Sequence, residues 1–197
     1  MASGAIVRTN PREKRRVMYG LAGAGVALLS FAVSTNIWQG ALGGVLGLLM
    51  LAIAWTDSHR FVVPDALSYG AVALGLINGA AFSPEGGFEG ALEASLHAVL
   101  SAALFFIIRL VYRRIRKREG LGLGDVKLAA VAGAWLSLLM LPFAVEIAAL
   151  TGLSTYLWRQ RSRGRALRST SRLPFGAFFA LAIWFGWVSD TYFVISG

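Results

Sequence analysis

Apolar positions in this chain come in long unbroken blocks rather than in stripes. Seven such blocks, at about 17–36, 38–56, 66–82, 91–111, 125–140, 142–158 and 174–194, are separated by short polar or basic segments. Neither the alternation of a half-buried strand nor the three-to-four spacing of a surface helix persists through them, so every face of each element is suited to an apolar surrounding. Each block approaches the ~20 residues that carry a helix across ~30 Å of hydrocarbon, where backbone N–H and C=O groups must be satisfied within the element itself. The pattern predicts an all-α, polytopic membrane helix bundle of about seven transmembrane helices. The first block follows Arg12, Lys14, Arg15 and Arg16 in the manner of a signal peptide, but further spans succeed it at once, which predicts a retained helix.

Composition agrees: 56% of the 197 residues are hydrophobic and 15% charged. The net charge of +9 would suggest nucleic acid in a soluble domain, but here its placement decides the reading. All 19 Lys and Arg fall in alternate segments: before the first block, at Arg60, around Arg109–Lys127, and from Arg159 to Arg172. The intervening segments are Ser34–Trp38, Ser83–Gly90 with Glu85 and Glu89, the Met140-Leu141-Pro142 turn, and the tail with Asp190. Basic residues in short loops mark the cytoplasmic side, so the N-terminus is expected in the cytoplasm and the C-terminus outside. The basic loops then serve as topology determinants and contacts to lipid headgroups, and no nucleic-acid partner is expected. Only Trp158, at the membrane edge, accompanies the run from Arg159 to Arg172, so a base-stacking platform is missing. The chain has no cysteine, which excludes disulfides, thiol catalysis and cysteine-ligated zinc. Small-residue spacing on the second block, Gly40/Gly44 and Gly43/Gly47, predicts close helix packing.

Candidate chemistry resides in two aspartates. Asp57 ends the apolar run Leu46–Trp55, a depth at which an ionised carboxylate costs roughly 2.5 to 3.5 kcal/mol. Alone, it could equally be an interface residue paired with Arg60. Asp125 closes Gly120-Leu121-Gly122-Leu123-Gly124-Asp125 and opens the fifth block. Under the alternating topology the end of block two and the start of block five share the cytoplasmic edge, so both carboxylates are expected at one depth. The glycines give backbone freedom and leave room for a substrate strand to lie alongside. A dinucleotide fingerprint is excluded, because the spacing is wrong and no strand precedes it. Two carboxylates a few ångströms apart cannot both ionise easily; one keeps a proton and the other activates water, with neither metal nor cofactor required.

Asp57 with Pro64 seven positions later, Gly-Leu-Gly-Asp-Val-Lys-Leu at Gly122–Leu128, and Arg172-Leu173-Pro174-Phe175-Gly176 before the last span together resemble the type IV prepilin peptidase family of GxGD-type intramembrane aspartyl proteases. The resemblance covers about residues 40 to 190. It implies that Asp57 and Asp125 are catalytic, with Pro64, Gly122, Gly124 and Lys127 as supporting motif positions. The implied reaction is removal of a short leader after a glycine, from prepilins or pseudopilins, at the cytoplasmic face of the bacterial inner membrane, in type IV pilus assembly or type II secretion. Bifunctional members carry an N-terminal domain with paired Cys-x-x-Cys motifs and methylate the product; with no cysteine here, a peptidase-only form is expected. The C-terminal motif usually continues with proline where this chain has Ala177. Presenilin-like proteases share Gly-x-Gly-Asp but expect Pro-Ala-Leu near the C-terminus, where this chain has Leu173-Pro174-Phe175.

The organisation expected is therefore a basic tail at 1–16, an additional N-terminal transmembrane helix at 17–36 and a peptidase-like membrane domain at 38–197. Lys127 is read as snorkelling to the interface, Asp65 as capping the third helix, His59 as solvated, and His97 as hydrogen-bonding Glu146. Two other classes compete. A proton-coupled transporter would set its acids near the midplane, often within inverted repeats, and a non-catalytic membrane subunit would need neither aspartate.

Overall fold

The computed structural model describes residues 11–84, 86–118, 120–162 and 174–196, without the side chains of 11–16 and 194–196. Seven helices follow one another among them: α1 (Pro11–Ala32), α2 (Ile37–Arg60), α3 (Asp65–Phe82), α4 (Gly87–Arg116), α5 (Leu123–Trp135), α6 (Met140–Ser162) and α7 (Phe175–Ser196). Arg8, Glu85, and Arg163 through Leu173 lie outside the described residues.

Local chemistry sets the helix boundaries. Asn36 opens α2 by accepting the Trp38 N–H at 2.9 Å, and Phe61 closes it in the left-handed conformation with φ 54°. Pro64 opens α3, its fixed φ of −66° suiting a helix start, and its carbonyl accepts both the N–H and the Oγ of Ser68. Gly86, at φ 62°, begins α4, and Lys117 ends it.

The all-α bundle of seven helices matches the pattern of the sequence, but not every one of the seven expected spans is found as one among the described residues. Four helices, α2, α3, α4 and α6, are individually long and apolar enough to cross a membrane, and the apolar part of α1, Val17–Ala32, is shorter. The block at 125–140 does not become a full span. Helix α5 stops at Trp135 after 13 residues, about 20 Å at 1.5 Å per residue. Beyond it the Ser137 N–H and hydroxyl bond the carboxylate of Asp190 in α7, at 2.8 and 3.1 Å, and this fixes a turn where hydropathy alone predicts helix.

Helix α5 is nonetheless the centre of the bundle. Leu128, Ala129, Val131, Ala132, Ala134 and Trp135 are all buried, enclosed by α3, α4 and α7. Around it, α2 packs on α1, α3 and α7, and α6 on α7. The small-residue face of α2 is used for contact, as its spacing predicts. A methyl group built on Gly43 would fall 1.8 Å from the Trp187 ring, and one on Gly47 2.2 Å from Val26 and 2.8 Å from Trp184. Helix α1 is held to the same face by the buried hydrogen bond from Trp184 Nε1 to Ser30 Oγ, at 3.1 Å. Outward-facing positions on α4, including Leu96, Val99, Leu100 and Ile107, are exposed and apolar, the surface a lipid-facing helix requires.

Candidate active site

Three chain segments meet at one end of the bundle: the last turn of α2 with its link to α3, the first turn of α5, and the first turn of α7. Asp57 lies in the last turn of α2 and is 7% exposed. Its Oδ2 accepts the Ala177 N–H from the first turn of α7 at 2.8 Å, across 120 positions of sequence. The first N–H groups of a helix have no partner within it, and a carboxylate set against them is favoured by hydrogen bonding and by the helix dipole. The alternative partner, Arg60, forms no ion pair with Asp57. Where the resembling motif has proline, Ala177 contributes an N–H that proline lacks.

Asp125 lies in the first turn of α5, and its Oδ2 accepts the Gly122 N–H at 3.0 Å. This is a reach from the third helical residue back to the N-cap, which ties the carboxylate to its own helix start. Burial pushes the Asp125 carboxyl up to about 6; the Gly122 hydrogen bond lowers it, and the charge of Asp57 raises it again. That last influence makes the two aspartates electrostatic neighbours although 68 positions separate them.

The three glycines ahead of Asp125 have different surroundings. Gly120 lies against the ring of Tyr112 on α4, and Gly124 against Val63; a methyl group on either would come within 2.4 and 2.7 Å of those side chains. Gly122 is exposed in an extended conformation, φ −75° and ψ 156°, and a methyl group there would meet Asp125 Oδ2 at 3.3 Å and the Gly124 nitrogen at 3.8 Å. Room for an incoming backbone is therefore confined to Gly122.

Two expectations are revised beside the site. Lys127 does not simply snorkel: its Nζ pairs with the Asp65 carboxylate, joining α5 to α3. Asp65 is the first residue of α3, behind the N-cap Pro64, and makes no side-chain cap; being exposed, it turns to Lys127 instead. His59 is exposed as expected and bonds the Trp55 carbonyl. Farther off, His97 Nε2 lies 4.0 Å from Glu93 one turn away on α4, not against Glu146 on α6, with which α4 makes at most marginal contact. Val63 was missed by sequence reasoning, and Gly176 entered only as the last position of the motif before α7. The one available signal was a β-branched residue directly before Pro64, in a link whose other residues, Phe61 and Val62, are exposed. No group of three or more His, Cys, Asp or Glu that could hold a metal occurs among the described residues.

Residues 44–157, more than half of the chain and including both aspartates, match the model of the type IV leader peptidase family. The chain belongs to that family. It is 34% identical over 160 residues to a prepilin leader peptidase/N-methyltransferase of Dickeya chrysanthemi, covering 78% of this chain and 54% of that one. It is 31% identical to the protein of the same description from Neisseria gonorrhoeae, over 63% of this chain and 42% of that one. With that of Pectobacterium carotovorum subsp. carotovorum it shares 30% identity over 84% of this chain and 58% of the other. The chain thus spans about half the length of the curated relatives it matches. No solved structure matches it.

Proposed function

We propose that this chain is an aspartic endopeptidase that removes the leader from prepilins or pseudopilins, with Asp57 and Asp125 as its catalytic pair. One observation carries the reading. In a member of the type IV leader peptidase family, Asp57 Oδ2 lies beside Gly176 and Asp125 follows Gly124, both glycines pack on the same Val63 side chain, and the charge of Asp57 acts on Asp125. One carboxylate, charged, takes a proton from water; the other, protonated, donates to the scissile carbonyl oxygen; each role contributes about 10²- to 10⁴-fold. The hydrogen bonds to the Ala177 and Gly122 N–H groups orient the two side chains before substrate arrives.

The bundle is proposed to sit in the bacterial inner membrane, with its basic end and the aspartate pair at the cytoplasmic face. Arg60 ends α2, Arg113 and Arg114 lie in the last turn of α4, Lys127 in the first turns of α5, and Arg159 and Arg161 in the last turn of α6, the helix ends that an alternating bundle sets on the side of Asp57, which supports that orientation. In this arrangement α1 adds a helix to a domain that begins near residue 38. A substrate would leave its apolar helix in lipid, present its cleavage point at headgroup level and lay its backbone beside Gly122. The N-methyltransferase half of the relatives' description is no part of the proposal.

The test is co-expression of candidate prepilins with wild type, Asp57→Asn and Asp125→Asn, with the leader followed by mass spectrometry. Processing by wild type and by neither variant is expected. Continued processing by either variant removes that residue from the mechanism, and a methyl mass on the product shows that a second activity is present.

A further inference from the structure

The link from α2 to α3 is four residues long and tightly shaped. Phe61 stands at φ 54°, a conformation uncommon for a residue with a side chain, and Pro64 confines its predecessor to extended backbone. As a result Phe61 and Val62, 49% and 55% exposed, point away from the bundle, while Val63, 7% exposed, is driven into it.

What Val63 meets there is backbone. Its Cγ2 lies where a methyl group on Gly124 would approach to 2.7 Å and one on Gly176 to 3.3 Å, so both helix starts close directly upon it. Gly124 immediately precedes Asp125. Gly176 immediately precedes Ala177, the donor to Asp57, and a methyl group on Gly176 would itself stand 3.0 Å from Asp57 Oδ2. One side chain therefore touches the chain beside both candidate catalytic groups. A β-branched side chain has a restricted χ1 and its neighbours are closely packed, so it transmits position rather than yielding.

Resting on the reading of Asp57 and Asp125 as a catalytic pair, we propose that Val63 is a positioning residue, a spacer between the first turns of α5 and α7 that sets how the two carboxylates face one another. Val63 acts through them and contacts no reacting atom. Because its counterpart on α5 is a glycine, bulk at positions 63 and 124 is complementary: what is removed from one can be restored on the other.

The experiment uses the purified full chain in detergent with a prepilin that the wild type processes, measuring kcat and KM separately and the melting midpoint of each variant. Val63→Ala is expected to lower kcat about tenfold, with KM within about twofold, since the misplacement is felt in the transition state. Val63→Ile, which keeps the branch and Cγ2, is expected to hold kcat within about threefold of wild type. Gly124→Ala alone is expected to slow the reaction, and Gly124→Ala combined with Val63→Ala to be faster than either single variant. A fall in kcat of less than about threefold for Val63→Ala, or a double variant slower than both singles, overturns the proposal. If Val63→Ala does not fold, the comparison of Gly124→Ala with the double variant decides by the same criterion. Should Asp57→Asn and Asp125→Asn retain processing, the protease reading itself fails; should they be inactive while Val63→Ala keeps its kcat, only the spacer fails.

Discussion

Carboxylates close off both ends of this bundle, but in different ways. At the end remote from the candidate site, Asp190 of α7 spends both oxygens on one residue, Ser137, and so locks the turn between α5 and α6. At the opposite end, Asp57 and Asp125 each commit a single oxygen, Oδ2, to a helix-start N–H among the described residues. The first arrangement uses the hydrogen-bonding capacity of an acid for structure. The second orients two acids while leaving one oxygen of each without a hydrogen bond among the described residues. The comparison teaches that the same residue type, at two ends of one helix stack, is saturated as a fastener at one end and keeps hydrogen-bonding capacity in hand at the other, where the proposed catalytic pair lies.

The sharpest way to break this contrast is to neutralise the proposed catalytic pair. Asp57→Asn or Asp125→Asn is expected to reduce leader cleavage by at least about 10³-fold while the protein keeps its helical content and still unfolds in a single transition, read by mass spectrometry and circular dichroism. Next in size, Gly176→Val, whose added bulk would press on both Asp57 Oδ2 and Val63, is expected to cut kcat about a hundredfold, measured on purified protein.

A third test uses pH. Since the folded protein holds the Asp125 carboxyl at about 6, above its ordinary 3.8, it binds a proton there that the unfolded chain releases. Stability from this group is therefore fully present below about 3.8 and is lost as pH rises through about 6, at most about 3 kcal/mol in all at 1.36 kcal/mol per pH unit. The melting midpoint of wild type is expected to fall between pH 5 and pH 7 by more than that of Asp125→Asn; equal slopes would contradict it.

At the fastening end, Asp190→Ala is expected to cost about 1–2 kcal/mol of stability through its two lost hydrogen bonds, with kcat within about twofold of wild type. A large loss of activity without a loss of stability would erase the distinction between the two ends. Smallest of all, breaking the exposed Lys127–Asp65 pair with Asp65→Asn is expected to cost less than about 1 kcal/mol, an effect that disappears in high salt.

The sequence by itself determined that the chain is a helical membrane bundle, because an apolar block of spanning length leaves the backbone no alternative to the helix. It also singled out the two candidate carboxylates, since an aspartate at the end of an apolar run and another behind a glycine ladder stand out against their surroundings. The packing role of Gly43 and Gly47 was legible for the same reason, as spacing along a helix fixes which residues share a face. Tertiary structure alone decided the rest. That α5 ends at Trp135 depends on Asp190, 53 positions beyond Ser137. That Asp57 turns to Ala177 instead of Arg60, and that Val63 meets Gly124 and Gly176, depends on three helix ends arriving at one place. Local propensity and hydropathy describe each segment against an averaged environment, whereas these contacts join positions far apart along the chain and exist only after the helices have packed.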